Sequence, residues 1–205
     1  MSPAALVSII GPVGVGKTTL ARLLAADLPA RLIEEDYRGN PFLAEAYTGL
    51  AAARLPAQTF FLLSRAAQLD RRRLAGLAVS DYAFVQDAVF ARRNLNETDL
   101  RFYRRLARAA SRHVQPPDVL IHLDASERTL LGRVADRGRD FERRFDEPFL
   151  AYLRRQYRQA IRRARCPVLT VDCEQADVRD GPQRRRLIRQ VKEALRGAGV
   201  RHADA

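Results

Sequence analysis

The residues GPVGVGKT at 11–18 match the pattern G-x-x-x-x-G-K-[ST] in full. Each residue type has a chemical reason to be there. Gly11, Gly14 and Gly16 let the backbone wrap closely around phosphate oxygens, and their N–H groups form an anion nest with a helix N-terminus behind it. Lys17 is one of two lysines, with Lys192, in a chain that otherwise takes its positive charge from arginine. A compact ammonium is what the β- and γ-phosphates require, and the Thr18 hydroxyl is placed to meet Mg²⁺. The nucleotide-binding set expected here is Gly11, Gly14, Val15, Gly16, Lys17, Thr18 and Thr19. The loop establishes nucleotide binding and leaves the reaction open.

A second stretch, GRVADRGRDFER at 132–143, places Arg133 and Arg137 four residues apart, hence on one helix face, with Arg139 just past Gly138. Guanidinium forks suit phosphate oxygens and offset charge during phosphoryl transfer. The acids Asp140 and Glu142 interrupt the run. Gln58 and Arg65 stand seven residues apart, about two helical turns, and so share a face.

Such residues need a scaffold, and the hydrophobic pattern supplies one. LVSII (6–10), RLIEE (31–35), LAVSD (77–81), DVLIHLD (118–124) and PVLTVD (167–172) read as short strands. Helical spacing is predicted over 18–28, 42–53, 59–75 after Pro56, 85–113 in two pieces broken near 93–97, 126–137 with Ser126 as N-cap, 148–164 and 183–196. Strands interleaved with helices imply a P-loop α/β fold, a five-stranded parallel sheet flanked by helices on both faces. The 205 residues are read as a single domain with a frayed tail at 198–205.

These segments, in this order, resemble the deoxynucleoside kinase family, especially its bacterial deoxyadenosine/deoxyguanosine kinase branch. GPVGVGKTTLARLL, EEDYRGNPFLAEAY, QTFFLLSRAAQ, VSDYAFVQDAVFA, LIHLDASERTLLGRVADRGRDFE and PVLTVD carry the resemblance, from about residue 5 to about 178. It implies a glutamate acting as general base toward a sugar 5′-hydroxyl at Glu35, with Glu34 as the alternative because Asp36 replaces the proline usual after that glutamate. It implies sugar contacts from Tyr47 and Glu142, and base contacts from Gln58, Phe61, Arg65 and Asp87. Asp81 matches an acid that helps position Mg²⁺. Tyr82 stands where the family has arginine, so either another arginine compensates or the Tyr82 hydroxyl meets the sugar. It implies a single P-loop kinase domain with an arginine lid over about 133–144, in which Arg133, Arg137 and Arg139 cover the ATP phosphates; Arg143 and Arg144 fall outside that pattern, and the adenine is expected near 174–177. The family generally forms homodimers, so a homodimer is expected.

The net charge of +12 points to anionic partners. It keeps a nucleic-acid-binding ATPase among the readings, although no nucleic-acid motif accompanies it and no nucleic-acid partner is expected. The other alternative is a nucleoside monophosphate kinase of the thymidylate kinase type, which needs a cationic site for an acceptor phosphate. No run approaches the roughly 20 apolar residues of a membrane span, so no membrane partner is expected. The first residues do not read as a signal peptide, and Cys166 and Cys173 match no metal spacing. A cytoplasmic enzyme using ATP, Mg²⁺ and a small-molecule nucleoside is the expectation.

Overall fold

The computed structural model describes residues 4–200. Its centre is β1 (Ala5–Ile10), whose six residues are all buried. A strand covered on both faces must be nearly all apolar, and in ALVSII the single polar residue, Ser8, is satisfied by a hydrogen bond with Ser80 of β3. β1 pairs in parallel with β3 (Leu77–Ser80) on one side and β4 (Val119–Asp124) on the other. β2 (Arg31–Ile33) and β5 (Val168–Asp172) close the edges, giving the order β2-β3-β1-β4-β5. Successive side chains of a strand point to opposite faces. Leu6 packs with Leu69, Leu74 and Val114, whereas Val7 and Ile9 join Leu24 of α1 (Lys17–Asp27) and Val191 of α8 (Gly181–Gly197).

The chain leaves β1 for one half of the sheet and later returns to fill the other. In such sheets ligands bind outside the strand carboxyl ends where the order reverses. The loops after β1, β2 and β3 all emerge there. The remaining helices frame that crevice: α2 (Leu43–Thr48), α3 (Ala51–Gln68), α4 (Gln86–Asn94), α5 (Glu97–Ser111), α6 (Glu127–Arg137) and α7 (Glu147–Ile161).

Several boundaries depart from the sequence reading. The helix predicted over 42–53 is two helices, because Gly49 takes the left-handed conformation (φ 110°) and ends α2. α3 then starts before Pro56 and runs through it; burial of Ala53, Ala57, Phe61 and Leu62 outweighs one lost backbone hydrogen bond. The helix predicted to reach residue 75 stops at Gln68, where Asp70 accepts the Arg72 N–H and pairs with its guanidinium. β2 ends at Ile33, short of the predicted Glu35, because the Glu35 N–H turns to the Asp81 carboxylate. Ser126 does cap α6, accepting from the Thr129 N–H, and Asn96 and Asp146 do the same for α5 and α7. Of the predicted frayed tail, 201–205 lie outside the described residues, while the N–H groups of Ala198, Gly199 and Val200 bond back to α8.

Candidate active site

A cleft of about 690 Å³ opens at the crevice. The glycine loop forms its floor. Gly11, Gly14 and Gly16 all have positive φ, at 149°, 83° and 102°. A Cβ on Gly11 would collide with the Leu123 carbonyl oxygen, and one on Gly14 would lie 2.9 Å from that of Leu130. The loop is therefore wedged between β4 and α6. The Val15 side chain is buried in the core, so only its backbone is left to the loop, while Thr19 lines the cleft. Lys17 Nζ donates to the carbonyls of Gly11 (2.9 Å) and Pro12 (3.0 Å). Burial lowers its pKa to about 8, against the opposing pull of Glu35 and Asp81.

Asp81 connects loop and strand end. Its Oδ2 accepts from the Thr18 hydroxyl at 2.5 Å and its Oδ1 from the Glu35 N–H at 2.8 Å. Burial raises the Asp81 carboxyl pKa despite these bonds. Among the described residues no group of three or more His, Cys, Asp or Glu side chains stands together to hold a metal. One carboxylate plus one hydroxyl is nevertheless the donor set that suits Mg²⁺, which keeps waters and takes phosphate oxygens for the rest.

The two adjacent glutamates differ in their partners. Glu34 sits at the exposed rim of the same cleft, paired through both oxygens with Arg22, which holds its carboxyl below the usual range. Glu35 turns inward, where its Oε1 accepts from Arg65 and, at 2.8 Å, from Gln86 Nε2. Sequence reasoning passes over Gln86, the first residue of α4; its only signal is its place one residue before Asp87.

Gln58, Phe61 and Arg65 line the cleft from one face of α3. Arg65 is 4% exposed; it pairs with both Asp87 and Glu35, and its guanidinium lies 5.0 Å from the Phe61 ring centroid. Asp87 sits beneath Arg65, away from the cleft wall, and burial pushes its carboxyl up while Arg65 opposes the shift. The reading of Tyr82 as a sugar contact needs correction. Its ring is fully buried under Arg65 (5.5 Å), and its hydroxyl donates to Gln68 Oε1 at 2.5 Å. Burial raises its pKa, so it stays a neutral phenol.

Tyr47 lines the same cleft, its ring 5.7 Å from that of Phe141 and 5.4 Å from that of Phe145. Burial raises its phenol pKa. Across from it, Glu142 is 3% exposed in a short 3-10 turn (Asp140–Glu142). Its Oε2 accepts from Arg137, with Nε at 3.0 Å, and its Oε1 from Arg139 at 3.3 Å. The Arg139 guanidinium lies 3.8 Å from the Tyr37 ring centroid, and Arg133 donates to the Cys173 carbonyl at 3.1 Å. All three arginines face the cleft. Arg143 instead pairs with Asp140 in solvent, and Arg144 donates to the Thr48 carbonyl. In the loop after β5, Glu174 is engaged by the Ser126 N–H and the Thr129 hydroxyl, and Asp177 by Arg179.

Phosphate loop, inward carboxylate, buried amide–arginine face and three arginines therefore surround one space. The family model described as "Deoxynucleoside kinase" matches residues 7–196. A deoxyguanosine kinase of Bacillus subtilis (strain 168) is 30% identical over 206 residues, covering 95% of this chain and all of that protein. A deoxyadenosine kinase of Lactobacillus acidophilus is 28% identical over 155 residues, covering 71% of this chain and 72% of that protein. Among solved structures, deoxyadenosine kinase from M. mycoides with bound dATP shares the fold at TM-score 0.78 and 24% identity, over 91% of this chain and 98% of that one.

Proposed function

Because the chain belongs to the deoxynucleoside kinase family, we propose that it transfers the γ-phosphoryl group of ATP to the 5′-hydroxyl of deoxyadenosine or deoxyguanosine. The observation that carries this reading is the Glu35 carboxylate, directed into the cleft that the phosphate loop and α3 both line. The relatives named for deoxyguanosine and deoxyadenosine support a purine acceptor.

In this reading Glu35 accepts the 5′-hydroxyl proton as that oxygen bonds to the γ-phosphorus and the bond to the β–γ bridging oxygen breaks. Glu34, committed to Arg22, is the lesser candidate. The loop N–H groups and Lys17 hold the phosphates. Thr18 and Asp81 would hold Mg²⁺, which when bound would offset phosphate charge. Arg133, Arg137 and Arg139 act as a lid that neutralises charge on the transferring group. Tyr47 and Glu142 fix the sugar, and Gln58 and Arg65, backed by Phe61 and Asp87, read the base.

We also propose a cytoplasmic homodimer. Both cysteines are free, which suits a reducing compartment. An apolar groove of about 590 Å³ along α4 and α7, edged by the exposed Val85, is a surface a second copy would cover. Among the described residues no helix is long and apolar enough to cross a membrane.

A panel of nucleosides and nucleoside monophosphates with labelled ATP and Mg²⁺ tests the activity. Transfer to deoxyadenosine or deoxyguanosine is expected. Transfer only to monophosphates would turn the reading to a nucleoside monophosphate kinase, and ATP hydrolysis stimulated by DNA without transfer to a nucleic-acid-binding ATPase.

A further inference from the structure

Glu35 holds its two carboxylate oxygens differently. Oε1 takes two hydrogen bonds, from Arg65 Nη2 and from Gln86 Nε2 at 2.8 Å, whereas Oε2 takes none from the described residues. Gln86 is 2% exposed and lines the cleft beside Glu35. Its own Oε1 is buried without any partner among the described residues. The amide has one workable orientation, because turning it over would set its oxygen against the carboxylate, acceptor facing acceptor. A buried acceptor left unpaired is a stability cost that calls for an explanation, and a leucine or methionine would fill this space without it.

Apart from Arg65 and Gln86, no side chain among the described residues donates to the Glu35 carboxylate. Tyr82, at the position where the resemblance leads one to expect an arginine, turns its hydroxyl to Gln68. Lys17 is bonded to the loop carbonyls. Asp81 contacts Glu35 only through the backbone N–H. Arg65 is shared with Asp87, so its hold on Glu35 is that of a cation pulled two ways.

We infer that Gln86 is a positioning residue for phosphoryl transfer: with Arg65 it clamps Oε1 of Glu35, so that Oε2 is the oxygen presented to the acceptor hydroxyl. A neutral amide suits this task, since it restrains the carboxylate without placing a second full cation on the proton acceptor. The inference rests on Glu35 being the base.

The test is steady-state kinetics of Gln86→Leu and Gln86→Glu in the full chain, with Glu35→Gln alongside. Misplacing a catalytic group by about 1 Å costs up to about 10²-fold, so kcat should fall by about 10- to 100-fold in both Gln86 variants. The nucleoside KM and the ATP Kd should stay within about threefold on the same reasoning. A kcat near that of the unaltered enzyme, or a loss carried by KM alone, would overturn the inference. Should Gln86→Leu not fold, Gln86→Glu, of nearly the same volume, decides the question by the same kinetic split. If Glu35→Gln keeps full turnover, the base assignment itself falls; if it loses turnover while Gln86→Leu does not, only the role of Gln86 falls.

Discussion

Glu35 and Asp87 share one guanidinium: Arg65 donates to Asp87 through Nη1 and to Glu35 through Nη2. The carboxylate proposed to take the proton and the one proposed to back base recognition are therefore held by the same buried cation. Replacing it by alanine strands Asp87, whose side chain is 4% exposed. Breaking a buried ion pair from one side costs about 3–5 kcal/mol, so Arg65→Ala should lower the unfolding free energy by that much in chemical denaturation and abolish transfer. Arg65→Lys should recover part of the stability but little of the nucleoside turnover, because a point charge cannot fork between two carboxylates. Turnover by Arg65→Lys close to that of the unaltered enzyme would show that the sharing is incidental.

Glu142 is proposed to meet the sugar from the segment that also carries Arg137 and Arg139, the arginines proposed to act as a lid. Glu142→Ala should lower kcat/KM for the nucleoside by at least about tenfold, as expected for a lost charged hydrogen bond. Unchanged kcat and KM would remove Glu142 from the acceptor site and leave it only its pairing with Arg137 and Arg139.

The glycine loop is constrained by approach as well as by φ. Gly14→Ala would have to keep φ near 83° and fit a methyl group 2.9 Å from the Leu130 carbonyl oxygen. Strain of that kind costs about 1–3 kcal/mol. A comparable drop in stability is expected by chemical denaturation, with weaker ATP binding. Gly132→Ala, inside α6 with open space around the added carbon, should leave ATP binding unchanged and raise stability by about 0.5–1 kcal/mol, and serves as the comparison.

Lys17 gives a pH signature. Its pKa in the empty cleft is lowered to about 8 by burial, so above that pH the amine is largely neutral. Nucleotide phosphates favour the ammonium form. ATP binding should therefore take up a proton just above that pKa and weaken as the pH rises further, which calorimetry in buffers of different ionisation heat would detect. Absence of proton uptake would mean that Lys17 is already charged when the cleft is empty. The folding linkage has the matching sign. Between about pH 8 and the ordinary lysine value of 10.5 the unfolded chain binds more protons, so the contribution of Lys17 to stability rises with pH there.

The parallel sheet and the phosphate loop are legible in the sequence because each rests on local pattern: β-branched runs between breakers, and a full motif following a strand. The choice between Glu34 and Glu35 is not. Both follow the end of β2 and line the cleft, and only the partners, Arg22 at the exposed rim and the buried Arg65, distinguish them. Tyr82 misleads for a related reason, since sequence places it at a strand end but does not show Gln68 waiting beneath. Gln86 escapes notice because a glutamine at the start of a helix carries no signal of its own. Its meaning comes from a carboxylate 51 positions away in the chain.

The pairing of Arg137 and Arg139 with Glu142 has a consequence for how the cleft meets a triphosphate. Those two guanidiniums are not bare charges awaiting an anion; they already have a resident counter-ion, buried beside them. If Arg137 and Arg139 bind the triphosphate as proposed, nucleotide entry is an ion exchange, in which phosphate oxygens displace a carboxylate, rather than simple neutralisation. A site of that kind should bind ATP with a shallower dependence on ionic strength than its number of arginines implies. The displaced carboxylate is also the group proposed to seek the sugar, so filling the donor half of the cleft would release the residue that the acceptor half needs.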